Sequence, residues 1–480
     1  MAAITTYMPT PIATFLDQTA GPLYRQIYDA YREAILGGRL VAGQRVPSTR
    51  ALAAQLGISR LPVLNAFEQL LHEGYFEGRV GSGTYVAATM RSAPGRSEPR
   101  LSPQRVNELP DRSTGSAFRI SLPALDHFPV PTWSRLVSRH ARAMTPATMA
   151  YGSVAGLPAL RSAIADHLRI ARAVHCDASQ VLIVSGSQMA LQLCAHVLLS
   201  RGDLCGFEEP GYPGAREALA ATGALFKPIP VDEDGLDVTA LARLKRPVRS
   251  VYVTPSHQYP LGVSMSAPRR LELLDWAAHR DAWIIEDDYD SDYRYASRPL
   301  PSLHGMDRAS RVIYIGTFSK VLFPALRMGY VVVPPTLVER FVAVRRALDI
   351  CSPTLYQLAL ADFIREGHFA RHVRRMRTLY CKRRDCLVEA IQLRLPDALT
   401  IVRADAGMHL TALLDPRVED AALVARAAAS GVSVAALSSC YAGKKTRSGL
   451  VLGFGGADGA EIARGVGVLA TAIEAIRMRR

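Results

Sequence analysis

Lys320 is the residue around which chemistry is easiest to build. It ends the run Gly316-Thr-Phe-Ser-Lys320, which follows the apolar stretch Val312 to Ile315; Arg327 and a glycine come shortly after. An apolar run that ends in small and hydroxyl residues reads as a buried strand leaving the core into a loop. The loop offers the Thr317 and Ser319 hydroxyls and the Arg327 guanidinium around a single amine. Such a set suits an aldehyde cofactor that carries a phosphate: the amine can form a Schiff base, and the hydroxyls and guanidinium can hold the phosphate dianion. A surface Ser-Lys with an ordinary arginine would look the same in isolation.

A second strand end shifts the balance. Trp283-Ile-Ile-Glu286-Asp287-Asp288-Tyr289-Asp290 is another apolar run closing in acids, at a distance suited to a neighbouring parallel strand. A carboxylate there can pair with a protonated pyridine nitrogen, which makes the ring an electron sink. The two strand ends together resemble the aminotransferase family of fold-type I pyridoxal-phosphate (PLP) enzymes. The resemblance implies Lys320 as the Schiff-base lysine and Asp287 as the pyridine-nitrogen partner. It puts Tyr289 on the ring hydroxyl, and Thr317, Ser319 and Arg327 on the phosphate.

These residues need a scaffold. From Phe118 onward strand-like and helix-like segments alternate, which predicts an α/β domain with a mainly parallel sheet. Val181-Leu-Ile-Val-Ser-Gly-Ser187-Gln188 reads as a strand entering a helix that continues to about Leu199. Ser187 and Gln188 fall at its N-terminus, where unpaired N–H groups and the helix dipole favour phosphate. By the resemblance, Ser187 and Gln188 bind the phosphate, Tyr212 stacks on the pyridine ring, and Tyr151 reaches the phosphate of a neighbouring subunit, which implies a homodimer. The chain departs from the enzymes at two points. Where they commonly carry Asn-Pro-Thr-Gly it has Tyr259-Pro-Leu-Gly, with His257 nearby. Where they carry an arginine that grips a substrate carboxylate, it has Val451; Arg403 and Arg447 are the alternatives for that role.

The N-terminal stretch is of another kind. Leu23, Ile27, Tyr31 and Ile35 follow helical spacing; Ser48 and Ser59 are placed to cap two further helices, Thr49 to Leu56 and Arg60 to Glu73. Val63, Phe67, Leu70 and Leu71 are the expected inner face of the last. Two apolar runs around the glycine-rich tip Arg79-Val-Gly81-Ser82-Gly83 follow, as in a small hairpin. Helix, turn, helix and wing resemble the winged helix of the GntR family of transcription factors. That implies contacts to double-stranded DNA from Arg50, Ser59, Arg60 and Asn65, and from Arg79, Gly81 and Ser82 in the wing. Leu61-Pro62 departs from that family's polar pair.

The expected organisation is a winged helix over 1–88, a flexible linker over 89–117 with Arg91, Arg96, Arg100 and Arg105 along it, and an aminotransferase-like domain over 118–480 whose smaller part starts at about 345. The 480 residues carry 57 Lys+Arg against 43 Asp+Glu, a net charge of +14 that favours acidic partners, nucleic acid first. Seven scattered cysteines argue for a reducing compartment and against a disulfide framework or a metal site. No signal peptide or membrane span is read, so a cytoplasmic bacterial protein is expected. Arg371, Arg374, Arg375, Arg377, Lys382, Arg383 and Arg384 make one helix strongly basic, either as a solvated face or as a patch toward DNA.

Nearly the whole chain resembles the MocR type of bacterial regulator. The resemblance implies a PLP-dependent, DNA-binding transcriptional regulator whose aminotransferase-like domain senses PLP, or an amine or amino acid, through the Lys320 aldimine. The rival reading is a working PLP-dependent aminotransferase with an appended DNA-binding domain. Lys320 and Asp287 permit half-transamination, whereas Tyr259 and Val451 argue against efficient turnover.

Overall fold

Helical spacing at the N-terminus yields three helices and a hairpin in the computed structural model, which describes residues 21–88, 117–295, 301–403 and 405–477. Contacts divide the chain into two units, Met1–Asp111 and Arg112–Arg480. The linker, apart from Ala117, lies outside the described residues, and so do its four arginines.

In the first unit, α1 (Leu23–Leu36), α2 (Thr49–Leu56) and α3 (Arg60–His72) precede β1 (Phe76–Arg79) and β2 (Gly83–Val86), an antiparallel pair. Ser48 caps α2, its hydroxyl accepting the Ala51 N–H at 3.2 Å, and Gly57 ends it at φ +64. Ser59 holds the capping position of α3, but its hydroxyl makes no cap bond. The α3 inner face is Val63, Ala66, Phe67 and Leu70, whereas Leu71 is 39% exposed. The buried set keeps the i, i+3, i+4, i+7 stripe, and position 71 lies one step further round the helix. Tyr31, Phe67 and Phe76 meet edge to face with centroids 5.1 to 5.4 Å apart. Each such pair adds about 0.5–1.5 kcal/mol beyond the area it buries.

The second unit is built on an eight-stranded sheet. Its strands are β3 (Val181–Val184), β4 (Leu204–Glu209), β5 (Leu225–Asp232), β6 (Gly235–Leu236), β7 (Val248–Val253), β8 (Trp283–Asp288), β9 (Val312–Thr317) and β10 (Gly329–Val332). Their order is β3-β10-β9-β8-β7-β4-β5-β6. β9, β8, β7, β4 and β5 run parallel; β10 is antiparallel to both β3 and β9. Helices cover both faces, so the central strands are continuous apolar runs. Alternate residues enter different cores: Leu182, Ile285, Ile313 and Ile315 pack with the helix Ser187–Leu198, and Ile183, Tyr314 and Val332 pack with the helix Pro158–Arg172.

A four-stranded sheet forms a smaller lobe: β11 (Thr400–Ile401), β12 (His409–Leu413), β13 (Ala435–Ala436) and β14 (Gly449–Gly453), in the order β11-β12-β14-β13. Its core joins Leu410, Leu450 and Leu452 to Met376, Tyr380 and Leu387 of the helix His368–Arg394 and to Ile462 and Leu469 of the helix Gly459–Arg477. Phe118 is part of this core and bridges Gly453. Ala359, Leu360 and Phe363 pack instead with the large sheet. The smaller lobe therefore begins within the helix His368–Arg394, later than about 345, and recruits Ala117 and Phe118, the first described residues of the unit.

The basic helix spends most of its charge on its own chain. Arg371 donates to the Glu366 carbonyl at 3.1 Å and Arg377 to the Asp292 carbonyl at 2.9 Å. Arg375 donates to the His127 carbonyl, and buried Arg383 to that of Gly455. Arg384 pairs with Asp385 at 2.5 Å and lies over the Tyr295 ring. These arginines hold turns and loops against the helix. All seven cysteines are free thiols. No described helix is long and apolar enough to cross a membrane.

Candidate functional site

Parallel strands deliver their C-terminal ends to one edge of the sheet, and the register of β8 against β9 sets Asp287 opposite Ile315 and Asp288 opposite Gly316. A cavity at that edge is lined by Ser121, Ser187, Tyr212, Tyr252, Thr254, Tyr259, Asp287, Tyr289 and Lys320. The structure thus brings Lys320, Asp287, Tyr289, Tyr212 and Ser187 together.

The two adjacent aspartates part company here, because successive strand residues face opposite ways. Asp288 accepts from Arg172 at 2.8 Å and from the Tyr314 hydroxyl at 2.5 Å, and so is neutralised inside the protein. Asp287 faces the cavity. Its Oδ2 accepts the Tyr252 hydroxyl at 2.8 Å, while its buried Oδ1 has no partner. Burial raises its pKa to about 7; the Tyr252 bond opposes that, Asp288 adds to it, and Lys320 opposes it. An orphaned buried carboxylate oxygen is costly unless something donates to it. Burial lowers the Lys320 amine to about 8, against the pull of Asp290 and Asp287. Its Nζ lies 3.5 Å from the Ser121 carbonyl oxygen. A neutral amine near neutral pH is a nucleophile, and a lone acceptor across the cavity suits a cationic N–H. The donor set fits PLP.

The phosphate side is assembled from three strand ends. Ser187 and Gln188 open the helix Ser187–Leu198 behind Gly186 at φ +84. A Cβ at Gly186 would lie 3.3 Å from Arg327 Nη1, so the guanidinium rests on this glycine, and its Nη2 donates to the Ser185 carbonyl at 2.9 Å. Gly329, opposite Thr317 in the β9–β10 pair, is equally close to Gly186. Thr317 Oγ1 accepts the Ser319 N–H at 3.2 Å. Helix N–H groups and a guanidinium at one point make an anion site. Gln188 donates to the Tyr212 hydroxyl at 3.2 Å, tying that ring to the same corner.

A cluster that sequence reasoning missed stands behind Tyr289. The Tyr289 hydroxyl donates to the His257 carbonyl at 2.9 Å. His257 Nδ1 lies 3.0 Å from Asp290 Oδ1, and Asp290 Oδ2 accepts the Met408 N–H at 3.2 Å. His409 packs on His257 and is held near the Pro260 carbonyl, and burial keeps it neutral by lowering its pKa to about 3. Gly407, at φ +74, fits only because it has no side chain: a Cβ would lie 2.1 Å from His257 and 2.4 Å from Asp290. The segment 407–409 of the smaller lobe is therefore bolted to the residue beside the cavity. Its parts are scattered along the chain, and no local spacing announces them.

Four residues weighed from the sequence lie outside this cavity. Tyr151 is 84% exposed, beside Cys351 and Thr354, away from this cavity. Val451 is buried in β14, opposite Thr411 and Ala435. Arg403 and Arg447 are exposed, and the cavity lining includes no arginine among the described residues.

In the first unit, Arg50, Ser59, Arg60 and Asn65 are all exposed at or near the starts of α2 and α3. Arg60 donates to Thr49 Oγ1 at 3.1 Å, which ties the two helix starts together. At the wing, Gly81 takes φ +74, the Ser82 N–H closes a turn on the Arg79 carbonyl, and the Ser82 hydroxyl meets that of Tyr85 at 2.7 Å. Arg79 pairs with Glu77 at 2.7 Å and lies 4.4 Å over the Tyr85 ring. Arg45 lies against Gly83, where a Cβ would be 3.2 Å from its Nε. It adds a guanidinium to the wing that sequence reasoning did not include. Val80 at the tip is fully exposed.

The pattern described as aminotransferase class I and II matches residues 122–450, and that described as bacterial regulatory proteins, gntR family, matches residues 23–86. The probable rhizopine catabolism regulatory protein MocR of Rhizobium meliloti is 42% identical over 477 residues, 96% of each chain. The pyridoxine biosynthesis transcriptional regulator PdxR of Corynebacterium glutamicum is 33% identical over 90% of this chain and 92% of its own. Among solved structures, the α-aminoadipate aminotransferase LysN of Thermus thermophilus, complexed with N-(5'-phosphopyridoxyl)-L-leucine, superposes with a TM-score of 0.72 at 28% identity. That match covers 77% of this chain and 94% of LysN.

Proposed function

The chain belongs to the MocR-type regulators of the GntR family, PLP-dependent DNA-binding regulators of transcription, and from that premise we propose how its residues divide the work. When bound, PLP supplies a carbonyl carbon that amines attack and a ring that withdraws electrons. Lys320 holds that carbonyl carbon. Asp287 Oδ1 would accept the pyridine N–H, the Tyr289 oxygen would accept from the ring hydroxyl while its own proton stays on the His257 carbonyl, and Tyr212 would cover the ring. Ser187, Gln188, Thr317, Ser319 and Arg327 hold the phosphate. Tyr151, exposed on one protomer, completes the phosphate site of a second copy in a homodimer. Arg50, Ser59, Arg60, Asn65, Arg79, Gly81 and Ser82 meet operator DNA, joined by Arg45.

The observation that carries this reading is the lone Asp287 oxygen facing the same cavity as a lysine whose amine is largely neutral at mildly alkaline pH. The sensed ligand is PLP itself in preference to an amino acid, since among the described residues no guanidinium other than Arg327, assigned to the phosphate, is placed to take a carboxylate. Tyr289, His257, Asp290 and the Met408 N–H give the cavity a hydrogen-bonded route to the smaller lobe. A ligand acts through this route only if it favours one conformation over another.

Binding of the full-length protein to DNA upstream of its own gene, at fixed salt with and without PLP, tests the proposal. A PLP-dependent change in affinity in the native protein, absent in Lys320→Ala, is the expected result. Operator binding indifferent to PLP in both proteins would overturn PLP as the effector. Sustained exchange between an amino acid and a 2-oxo acid would instead favour the enzyme reading.

A further inference from the structure

An open groove on the smaller lobe is lined by Arg394, Arg426 and Arg464 over a floor that includes Gly467, Val468 and Ala472. The three arginines come from three helices: Arg394 closes His368–Arg394, Arg426 lies in the last turn of Asp420–Ala429, and Arg464 lies in the second turn of Gly459–Arg477. Among the described residues no carboxylate lines the groove and none of the three guanidinium groups is ion-paired. Helix C-termini attract cations, which accounts for Arg394 and Arg426. It does not account for Arg464, which sits toward the positive end of its helix. Gly467 brings the charges closer still: a Cβ there would lie 3.0 Å from Arg394 Nη1, so that guanidinium lies against bare helix. The contrast with the basic helix is direct, since Arg371, Arg375, Arg377 and Arg383 each donate to a carbonyl of their own chain. Three cations gathered in one groove, none with an ion-pair partner among the described residues, make a surface complementary to an anion.

We infer that this groove binds the phosphate backbone of duplex DNA flanking the operator. The inference rests on the DNA-binding reading above. The groove is open to solvent, and among the described residues its lining offers only Ser430 and Thr471 as uncharged polar side chains. That suits a repeating polyanion better than a small ligand that must be recognised by shape. Backbone binding of this kind adds affinity and salt dependence without sequence preference.

The test uses the full-length protein and two operator fragments, one trimmed to the half-sites and one extended on both sides. Expected for Arg394→Ala/Arg426→Ala/Arg464→Ala is unchanged binding to the trimmed fragment. On the extended fragment, affinity should fall roughly tenfold, with the log–log salt slope shallower by about 0.9 for each phosphate no longer neutralised. The charge-conserving triple Lys variant should keep most of both. Retained PLP absorbance and melting temperature show that the variants are folded. Equal losses on both fragments, or the same loss from Arg243→Ala/Arg249→Ala/Arg308→Ala, would overturn the inference in favour of a bulk charge effect. Stabilisation of the native protein, but not the Ala triple variant, by inorganic pyrophosphate, with no fragment-length dependence, would overturn it in favour of a small-anion site. Loss of trimmed-fragment binding by the native protein would count against the DNA-binding reading itself.

Discussion

The cavity at the sheet edge and the DNA-facing surface of the winged helix are built on opposite terms. In the cavity the polar groups are buried or half-buried, most are hydrogen-bonded, and Asp287 Oδ1 is a buried oxygen that lacks a donor and lines the cavity; Asp288 Oδ1 and Glu208 Oε1 are also without a donor but do not line it. On the winged helix the polar groups are exposed and several rest on neighbours: Arg79 on Glu77, Arg60 on Thr49, Ser82 on Tyr85. Water satisfies an exposed group at little cost, so a free guanidinium at the surface says less than a free carboxylate oxygen in the interior. The lesson is that an unpaired buried atom marks a site when it lines a cavity, as Asp287 Oδ1 does and the unpaired Asp288 Oδ1 does not. A surface site must be recognised by where it points and by what it would have to release on binding.

That contrast can be broken most sharply at Lys320. Lys320→Ala should abolish the absorbance of lysine-bound PLP and any PLP effect on operator affinity, while DNA binding without PLP persists. If the response survives, the cavity is not the sensor. In the native protein the rate of PLP capture should rise with pH around 8. The folded protein releases the Lys320 proton there, far below the ordinary lysine range, and only the neutral amine attacks. A rate that climbs only toward the ordinary lysine range would place that amine in water.

Asp287→Leu comes next. It removes the orphaned acceptor and should weaken PLP binding by about 1.5–3 kcal/mol, the worth of a hydrogen bond to a charged group, as read by titration. Asp287→Asn should recover part of the loss. On the DNA side, Arg60→Ala should cost about 1–3 kcal/mol in operator affinity and relax preference at one position, because it combines a base or phosphate contact with the tie to Thr49. The smallest effect is the most discriminating. Glu77→Gln frees Arg79 from its carboxylate and should tighten DNA binding slightly, as expected when an exposed ion pair no longer competes for the guanidinium. Weaker binding would mean that Glu77 aims Arg79 at the DNA.

Much of this is legible from the residues alone. The strand ends at Asp287 and Lys320 announce themselves locally, since an apolar run closing in reactive residues is contiguous in sequence. The winged helix likewise follows from spacing and glycine positions. Which of Asp287 and Asp288 faces the cavity is legible only by resemblance; physically it depends on Arg172 and Tyr314, which meet Asp288 from other parts of the chain. The His257–Asp290–Met408 link spans three segments, and Gly407 looks like any loop glycine until its neighbours are known. The basic helix misleads for the converse reason. Charge density is visible in sequence, but the carbonyls that consume it belong to distant loops. Leu71 shows the limit of reading a helix stripe by hydrophobicity alone.

One detail of the large sheet reaches beyond the site. Because β10 returns antiparallel beside β9, Lys320 and Arg327 belong to a single loop whose ends are pinned together, with the Phe318 N–H donating to the Met328 carbonyl at 3.1 Å. On the proposed reading, the amine for a ligand's reactive end and the guanidinium for its anionic end thus share one closed piece of chain. The segment that would report its occupancy, 407–409, belongs to a different piece. On that reading the two meet through Tyr289 and His257, so substitutions within 407–409 retune the output of such a receptor while leaving Lys320 and Arg327 in place.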